Sequence, residues 1–293
     1  MSFPCFPGDS DHEYQKWRDR KLHNMPGSAD ELVVEVSDPT SLSLAERNAL
    51  TRAVARTNMA IYAGPATPEA GSEVPRQLGA QFGLHRLDPN LGADEDAMTA
   101  LRVIEGAGPG SGDYVPYTDK ALNWHTDGYY NAPDRKIESM VLHCVRPAAE
   151  GGENALLDPD IAYIVLRDAN PDWARALCHP NSLTTPANIQ NGVTIRPERS
   201  TSVFSTASDG SLLMDYTERK RNVIWRDDPD TLAAVAFLRE FMASDSPFIY
   251  RARLEAGWGL LCNNVLHTRT AFRDNPSAPR LVYRGRYYDR IRT

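Results

Sequence analysis

The chain has 293 residues, of which 41% are hydrophobic and 24% are charged, and its formal net charge is −7. This composition excludes a wholly disordered protein, and the acidic balance disfavours a nucleic-acid partner because no positive field would attract a phosphate backbone. No apolar run approaches the ~20 residues that a membrane span needs, so no membrane partner is expected. The four cysteines are scattered without a CxxC pair, and the N-terminus lacks the apolar stretch of a signal peptide. Both features predict a cytoplasmic protein.

The beginning of the chain differs from the rest. Residues 1–35 are polar and contain several residues that interrupt regular structure, namely Pro4, Pro7, Gly8, Pro26 and Gly27. We expect this segment to form an arm on the protein surface rather than a domain. The following residues show no internal repeat and no low-complexity tract, so residues 36–293 are expected to form a single domain.

Regular elements become recognisable from Ser43 onward. Ser43 and Glu46 have the spacing of a capping box, and the apolar residues that follow keep roughly a helical period, which predicts a helix. Residues 59–64 have the composition of a short buried strand, and residues 72–84 are predicted to form a second helix. The segment 88–119 is rich in Gly, Pro and Asp and is expected to form long loops around one strand.

The second half of the chain consists mostly of short candidate strands separated by turn signals such as Gly151-Gly152. The candidate strands are KALNWHTD, ESMVLHCV, ENALLDP, VFSTA, SLLMDY, FIYRARL, GLLCNNVLH and RLVYRGRYYD. Two predicted helices interrupt them, PDIAYIVLRDA and DDPDTLAAVAFLREFMAS. This pattern predicts a mainly β fold with flanking helices, either a β-sandwich or a jelly roll.

The segment NWHTDG contains the most informative residues. On a strand, residues two apart point to the same face, so His125 and Asp127 project together and offer two ligands to a divalent metal. His267, which follows another candidate strand, is the best third ligand, and two histidines with one carboxylate form the facial triad of non-haem Fe(II) oxygenases. Taken alone, the His-x-Asp pair also fits a surface strand end with two polar side chains. Asn263 and Asn264 either satisfy backbone groups around the metal or shape a turn.

Arg280 adds context to this ligand set. It follows His267 by 13 residues and opens the apolar segment RLVYRGRYY. An arginine in this place can hold the far end of a dicarboxylate whose near end chelates the metal. The planar guanidinium suits this role because it pairs with a carboxylate through two parallel hydrogen bonds and keeps its charge.

Four stretches together resemble the superfamily of taurine dioxygenase, clavaminate synthase and γ-butyrobetaine hydroxylase, over about residues 40–290. In chain order they are LNWHTDGYYNAP, MVLHCVRPAAEGGENALLD, GWGLLCNNVLHTRTAF and RLVYRGRYYD. The resemblance implies a double-stranded β-helix, which is the cupin-like form of the jelly roll. It also implies a dioxygenase that depends on Fe(II) and 2-oxoglutarate and consumes O2.

By this resemblance, His125, Asp127 and His267 bind iron, and Arg280 binds the distal carboxylate of 2-oxoglutarate. Asn154 stands where many members place a threonine that supports the same carboxylate, and its amide could donate that hydrogen bond instead. The local sequence of these stretches most resembles the γ-butyrobetaine hydroxylases. However, the chain lacks the length and the cysteines for their additional zinc-binding domain, so their substrate is not carried over.

Five further residues are candidates for binding the substrate. Arg284 shares the strand face of the predicted 2-oxoglutarate-binding arginine, so it either grips an acidic group of the substrate or pairs with an acidic residue on the surface. Arg286 is the competing candidate. Trp124, Tyr129 and Tyr130 flank the metal motif, where aromatic faces either cage a quaternary ammonium group or form pocket wall and core.

The sequence therefore predicts an Fe(II)- and 2-oxoglutarate-dependent dioxygenase that hydroxylates, or otherwise oxidises, a small aliphatic substrate carrying a carboxylate or a sulfonate. The same chemistry on a betaine or an amino-acid zwitterion is an alternative. Two alternatives from other classes are a catalytically silent ligand-binding sheet protein and a metal-dependent hydrolase, although a hydrolase has no use for a dicarboxylate cosubstrate. Assembly into a homo-oligomer is left open.

Overall fold

A computed structural model describes residues 10–89, 93–104, 115–219 and 223–293 of the chain. The first nine residues of the predicted arm and part of the predicted loops between residues 88 and 119 lie outside these ranges. Of the helices within them, none has the length and apolar character needed to cross a membrane.

The described residues form six α-helices and nineteen β-strands. The helices are α1 (Asp11–His23), α2 (Leu44–Thr57), α3 (Glu73–Gln81), α4 (Pro159–Ala169), α5 (Pro171–Leu177) and α6 (Pro229–Ala243). The strands are β1 (Val33–Glu35), β2 (Met59–Ala63), β3 (Thr99–Leu101), β4 (Leu122–His125), β5 (Ser139–Arg146), β6 (Glu150–Gly151), β7 (Asn154–Leu157), β8 (Leu183–Thr185), β9 (Asn188–Gln190), β10 (Val193–Arg196), β11 (Arg199–Thr201), β12 (Phe204–Thr206), β13 (Leu212–Met214), β14 (Ile224–Trp225), β15 (Tyr250–Ala252), β16 (Trp258–Cys262), β17 (Leu266–Arg269), β18 (Phe272–Arg273) and β19 (Leu281–Tyr287).

Two sheets form the centre of the molecule. The major sheet has six strands in the order β1-β2-β16-β5-β19-β3, and the minor sheet has four strands in the order β15-β7-β17-β4. Their facing sides meet in one hydrophobic cluster, to which the major sheet contributes Met140 and Leu260 and the minor sheet contributes Leu156 and Tyr250. Two sheets packed in this way with helices outside them confirm the predicted mainly β fold with flanking helices.

The helices cover the outer faces of the two sheets. Helices α2 and α3 pack on the major sheet through Leu50 and Leu78, in a cluster separate from the one between the sheets. Helices α4, α5 and α6 form a layer on the minor sheet, where Leu238 packs in the same cluster as Leu266; we call this group of residues the helix-side cluster. Each sheet is thereby covered by helices on its outer face and by the other sheet on its inner face.

Local sequence signals account for several of these elements. Ser43 caps α2 in a complete capping box, because its hydroxyl accepts from the Glu46 backbone N–H while the Glu46 carboxylate accepts from the Ser43 backbone N–H, as predicted. Asp158 caps α4, and Pro159 occupies the first turn of that helix, where its missing N–H costs nothing. Helix α3 lies inside its predicted range.

Helices α1 and α5 and the hairpin formed by β9 and β10 are not among the predicted elements. The turn of this hairpin, Asn191-Gly192 with φ values of 49° and 77°, is nevertheless a typical hairpin signal. Helix α1 lies within the segment expected to be a surface arm, and Ser10 caps it. Its buried residues Tyr14 and Trp17 pack into the helix-side cluster. Only Tyr14, Trp17 and Lys21 of its 13 residues are buried, so its apolar stripe is too narrow to give a clear helical period.

Candidate active site

The two candidate metal-binding histidines lie on neighbouring strands. Strands β4 and β17 are antiparallel in the minor sheet, and their register sets His125 opposite His267 with ring centroids 4.2 Å apart. Asp127 follows β4, and one ligand atom from each of the three side chains lies within 4.8 Å of the other two. The preceding residues Trp124 and Leu266 point into the helix-side cluster. Alternation along the strands therefore directs both histidines to the interior between the sheets.

A backbone carbonyl two residues upstream orients each imidazole ring. Nδ1 of His125 lies 2.8 Å from the carbonyl oxygen of Asn123, and Nδ1 of His267 lies 2.9 Å from that of Val265. When Nδ1 donates its proton to a carbonyl, Nε2 carries the lone pair that a metal requires. Two Nε2 atoms and the Asp127 carboxylate are thus a donor set that fits a divalent transition metal.

The surroundings keep the three groups in the protonation state that binds metal. Burial, with a smaller contribution from His267, lowers the pKa of His125 to about 3, and burial also lowers the pKa of His267. Burial alone would raise the pKa of Asp127, but the charges of Arg284 and Arg286 outweigh it and hold this pKa well below its usual range. At neutral pH the imidazoles are therefore neutral and the carboxylate is ionised, as metal binding demands.

Asn264 fixes the backbone of the carboxylate ligand. Its Oδ1 accepts a hydrogen bond of 2.8 Å from the Asp127 backbone N–H, and its Nδ2 donates to the carbonyl oxygens of Asp127 and Ile137 at 2.9 and 2.8 Å. Asn264 also adopts a left-handed conformation with φ of 46°, which asparagine tolerates better than most residues. The residue therefore satisfies backbone groups at the candidate metal site and shapes a turn at the same time.

We expect Asn264→Ala to weaken Fe(II) binding about 10- to 100-fold, which is the usual cost of removing an outer contact of a metal ligand. Asn264→Gly is the matched control, because glycine accepts the left-handed backbone without strain but also lacks the amide. Anaerobic Fe(II) titration of both variants measures the effect. Wild-type affinity in Asn264→Gly would show that backbone conformation, and not the amide, is what the site requires.

Three arginines face the interior from β19 and the residue before it. Arg280 directly precedes the strand, Arg284 and Arg286 lie on it, and all three are buried. Val282, which has the same parity along the strand, lies in the cluster between the two sheets. Alternation therefore places all three guanidinium groups on the inner face, which the spacing of Arg280 and Arg284 predicts.

Two of these arginines are paired with carboxylates. Arg284 Nη1 lies 3.1 Å from Asp127 Oδ1, and Arg286 Nη1 lies 3.8 Å from the same oxygen. Arg286 also forms an ion pair with Asp88. The interpretation of Arg284 as a surface cation is wrong, because the residue is buried against the candidate metal ligand. A role of Arg284 or Arg286 in binding the substrate stays a prediction.

Arg280 differs from its two neighbours on the strand. Among the described residues, no carboxylate oxygen lies within 4.0 Å of its guanidinium nitrogens. Its Nη1 donates to the carbonyl oxygen of Leu101 at 3.4 Å, and its guanidinium carbon lies 5.1 Å from the ring centroid of Phe272. Asn154 and Arg280 line the same small cavity, to which both sheets contribute. The fold thus brings the two predicted 2-oxoglutarate-binding residues together.

The aromatic candidates are placed in different surroundings. Trp124 is buried in the helix-side cluster, on the face of β4 opposite to the metal ligands. Tyr129 contacts Tyr130 edge to face, with ring centroids 5.1 Å apart. The Tyr130 hydroxyl accepts a hydrogen bond of 3.0 Å from Arg286 Nη1. Tyr130 thus contacts an arginine of the site, whereas Trp124 lies on the opposite face of β4.

Sequence reasoning missed two residues near the site. Asp88 lies in a segment expected to be loop, yet it is buried and accepts hydrogen bonds from Arg286 and Tyr288. Arg196 belongs to the unpredicted hairpin, and its guanidinium carbon lies 5.1 Å from the ring centroid of Tyr130. Both residues reach the site through tertiary contacts between distant parts of the chain. The Asn191-Gly192 turn signals the hairpin of Arg196, but no local pattern sets Arg196 against Tyr130.

Facing sheets that present two histidines and one carboxylate as a single ligand set are typical of non-haem metal oxygenases. A profile of the family described as "Taurine catabolism dioxygenase TauD, TfdA family" matches residues 18–286. The chain belongs to this family, as the sequence predicts.

Two curated relatives carry the name uridine-5'-phosphate dioxygenase. The chain is 32% identical over 171 residues to the protein from Amycolatopsis sp., a match that covers 56% of this chain and 60% of the relative. It is 31% identical over 202 residues to the protein from Streptomyces sp., covering 67% of this chain and 72% of the relative. The matched region thus spans less than two thirds of the length of the first relative and more than two thirds of the length of the second.

The fold is similar to that of an asparagine oxygenase solved in complex with Fe(II), 2S,3S-3-hydroxyasparagine and succinate. The TM-score is 0.57 at 14% sequence identity, and the alignment covers 93% of this chain and 91% of the other. At this identity the likeness concerns the fold alone. It confirms the double-stranded β-helix, or jelly roll, that the sequence predicts.

Proposed function

We propose that the chain is an Fe(II)- and 2-oxoglutarate-dependent dioxygenase that oxidises a small anionic substrate. One observation carries this proposal: the ligand set of His125, Asp127 and His267 faces the same interior as the buried Arg280, whose guanidinium has no carboxylate oxygen within 4.0 Å among the described residues. A metal with an unpaired cation nearby suits a cosubstrate that is acidic at both ends. Membership of a dioxygenase family also disfavours the silent sheet protein and the hydrolase.

Two imidazole rings and one carboxylate are suitable ligands for Fe(II). Both imidazole rings and the Asp127 carboxylate would supply three ligands to iron, which would leave further positions for a bidentate cosubstrate and for O2. When bound, iron together with 2-oxoglutarate and O2 supplies the oxidising power that no amino-acid side chain has. The residues of the chain orient the ligands: backbone carbonyls fix the two rings, and Asn264 and Arg284 hold Asp127.

Arg280 and Asn154 are the proposed site for the distal carboxylate of 2-oxoglutarate. Burial lowers the pKa of Arg280, but a guanidinium remains charged at neutral pH. A buried charge without a counter-ion is costly, and a carboxylate bound in a planar, two-bond arrangement would offset that cost. The Asn154 amide lines the same cavity and could donate a further hydrogen bond.

The sequence and the curated relatives indicate different acidic groups on the substrate. The sequence predicts a carboxylate or a sulfonate on the substrate, whereas the two curated relatives are named for a nucleotide, which carries a phosphate. A phosphate ester is therefore the first candidate class, and a sulfonate or an amino-acid zwitterion is the second. Succinate release in the presence of uridine 5'-phosphate, taurine and asparagine would distinguish these classes, because coupled turnover rises with the true class of substrate.

The cosubstrate proposal predicts a loss of 2-oxoglutarate binding in Arg280→Ala. Addition of 2-oxoglutarate to anaerobic Fe(II)-loaded protein should produce a weak visible charge-transfer band, and the variant should need a roughly 10- to 100-fold higher concentration, because a charge-assisted contact is lost. Arg273→Ala is the matched control, since Arg273 lies on the neighbouring β18 but is exposed and paired with Glu150. A wild-type protein that binds iron but shows no band would contradict the dioxygenase proposal.

A further inference from the structure

Arg196 lies beside the candidate active site on an element that the metal ligands do not share. It ends β10, the second strand of the hairpin formed with β9. Its guanidinium carbon lies 5.1 Å from the ring centroid of Tyr130, a distance typical of a cation–π contact. The aromatic plane holds the guanidinium in a defined position next to the loop that follows Asp127.

Tyr130 connects Arg196 to the metal ligands. The Tyr130 hydroxyl accepts a hydrogen bond of 3.0 Å from Arg286 Nη1, and the same nitrogen lies 3.8 Å from Asp127 Oδ1. Arg196 is therefore two side chains away from the carboxylate that would bind iron. A group of a small substrate that extends from the metal past Tyr130 would meet this guanidinium.

The charge of Arg196 is not balanced by the described residues. Five other cations of this region have a carboxylate within 4.0 Å, namely Arg284 with Asp127, Arg286 and Arg135 with Asp88, and Lys136 and Arg199 with Asp215. Within the described ranges, Arg196 has none. Its Nη2 donates to the carbonyl oxygen of Pro186 at 2.9 Å, and its Nε is buried without any hydrogen-bond partner.

A buried donor on an unbalanced cation indicates a missing acceptor that carries negative charge. We propose that Arg196 binds the oxyanion group of the substrate, and that this group is a phosphate monoester. Arg284 and Arg286, which the sequence favours for this task, already have Asp127 and Asp88 as carboxylate partners. Their charges are therefore balanced, although their Nε atoms also lack a hydrogen-bond partner. The inference rests on the proposed dioxygenase function and assigns the residue that recognises its substrate.

Uridine 5'-phosphate and uridine are matched probes, because they differ only in the phosphate. Calorimetric titration of each into anaerobic protein loaded with Fe(II) and 2-oxoglutarate gives the contribution of that group. We expect Arg196→Ala to raise the Kd for uridine 5'-phosphate about 10- to 100-fold, and to leave the Kd for uridine unchanged, since one charge-assisted contact is lost. Arg196→Lys should restore part of the affinity as a point charge without the planar fork.

Thr194→Ala controls for effects on the hairpin, because Thr194 is an exposed residue of the same strand. Equal Kd values for the two probes in the wild type, or an unchanged Kd for uridine 5'-phosphate in Arg196→Ala, would overturn the inference. Neither result touches the cosubstrate proposal as long as 2-oxoglutarate still produces its band. A loss of uridine affinity equal to that of uridine 5'-phosphate would also overturn it, because it would indicate a structural role of Arg196.

Discussion

His267→Ala will abolish stoichiometric Fe(II) binding and coupled turnover. Replacement of contacts around a metal ligand commonly costs 10- to 100-fold in affinity, and we expect the loss of a ligand itself to exceed about 100-fold. His267 is well suited to this test because its Nδ1 is already oriented by the Val265 carbonyl and its ring faces His125 at 4.2 Å. Anaerobic titration with Fe(II) gives the affinity, and succinate release gives the turnover.

His85→Ala is the control for this experiment, because His85 is exposed and lies outside the ligand cluster. It should bind iron and release succinate like the wild type. Thermal unfolding of metal-free protein separates the loss of a ligand from the loss of the fold. Wild-type iron stoichiometry in a folded His267→Ala variant would mean that iron binds elsewhere and that the three-residue site is misassigned.

The parts of the fold that follow from local patterns could be predicted from the sequence. The capping box of Ser43 and Glu46 begins α2 where expected, since both partners lie within one turn of chain. Successive side chains on a strand point to opposite faces, so Arg280 and Arg284, which are four residues apart, are predicted to share a face of β19. His125 and Asp127 are two residues apart, so their joint orientation is a property of one short segment.

The partners of these residues could not be predicted, because they come from distant parts of the chain. Arg284 fits a surface cation or a substrate-binding residue equally well until the fold sets it against Asp127. The Asn191-Gly192 turn signals the hairpin that carries Arg196, but the contact of Arg196 with Tyr130 joins distant parts of the chain and has no local signal. Helix α1 is polar along most of its length, and its buried residues are recognisable only from their contacts with other elements, such as the hydrogen bond from Tyr14 to Asp168 of α4.

Lys21 is the clearest case of such a partner, since it ties α1 to the start of α4. Its Nζ lies 2.6 Å from Asp158 Oδ2 and 2.8 Å from Asp160 Oδ2, and its side chain is 9% exposed. Burial alone would lower the pKa of Lys21, but the two carboxylates outweigh it and raise the pKa above its usual range.

Asn58 donates to both carboxylates and accepts from Asn263, the residue before Asn264. The ion pair is thus part of a buried network that reaches the turn supporting Asp127.

We expect Lys21→Met to lower the free energy of unfolding by about 3–5 kcal/mol, because removal of one partner leaves the other charges buried without compensation. Methionine keeps most of the length of the side chain, so the packing against α4 changes little and the effect reports on charge. Chemical denaturation of metal-free protein measures the loss. Lys16→Met is the matched control on the same helix, since Lys16 is exposed, and a change below about 0.5 kcal/mol is expected there.

Neutralising one carboxylate should recover part of the loss, because the remaining penalty comes from unpaired negative charge. The double variant Lys21→Met with Asp160→Asn is therefore expected to be more stable than Lys21→Met alone. Asp160 is the better choice for this second change, since Asp158 also caps α4 through its side chain and its loss would add a capping cost. Equal stability of Lys21→Met and Lys16→Met would show that the ion pairs of Lys21 contribute nothing to the stability of the fold, as expected if the segment is the surface arm that the sequence predicts.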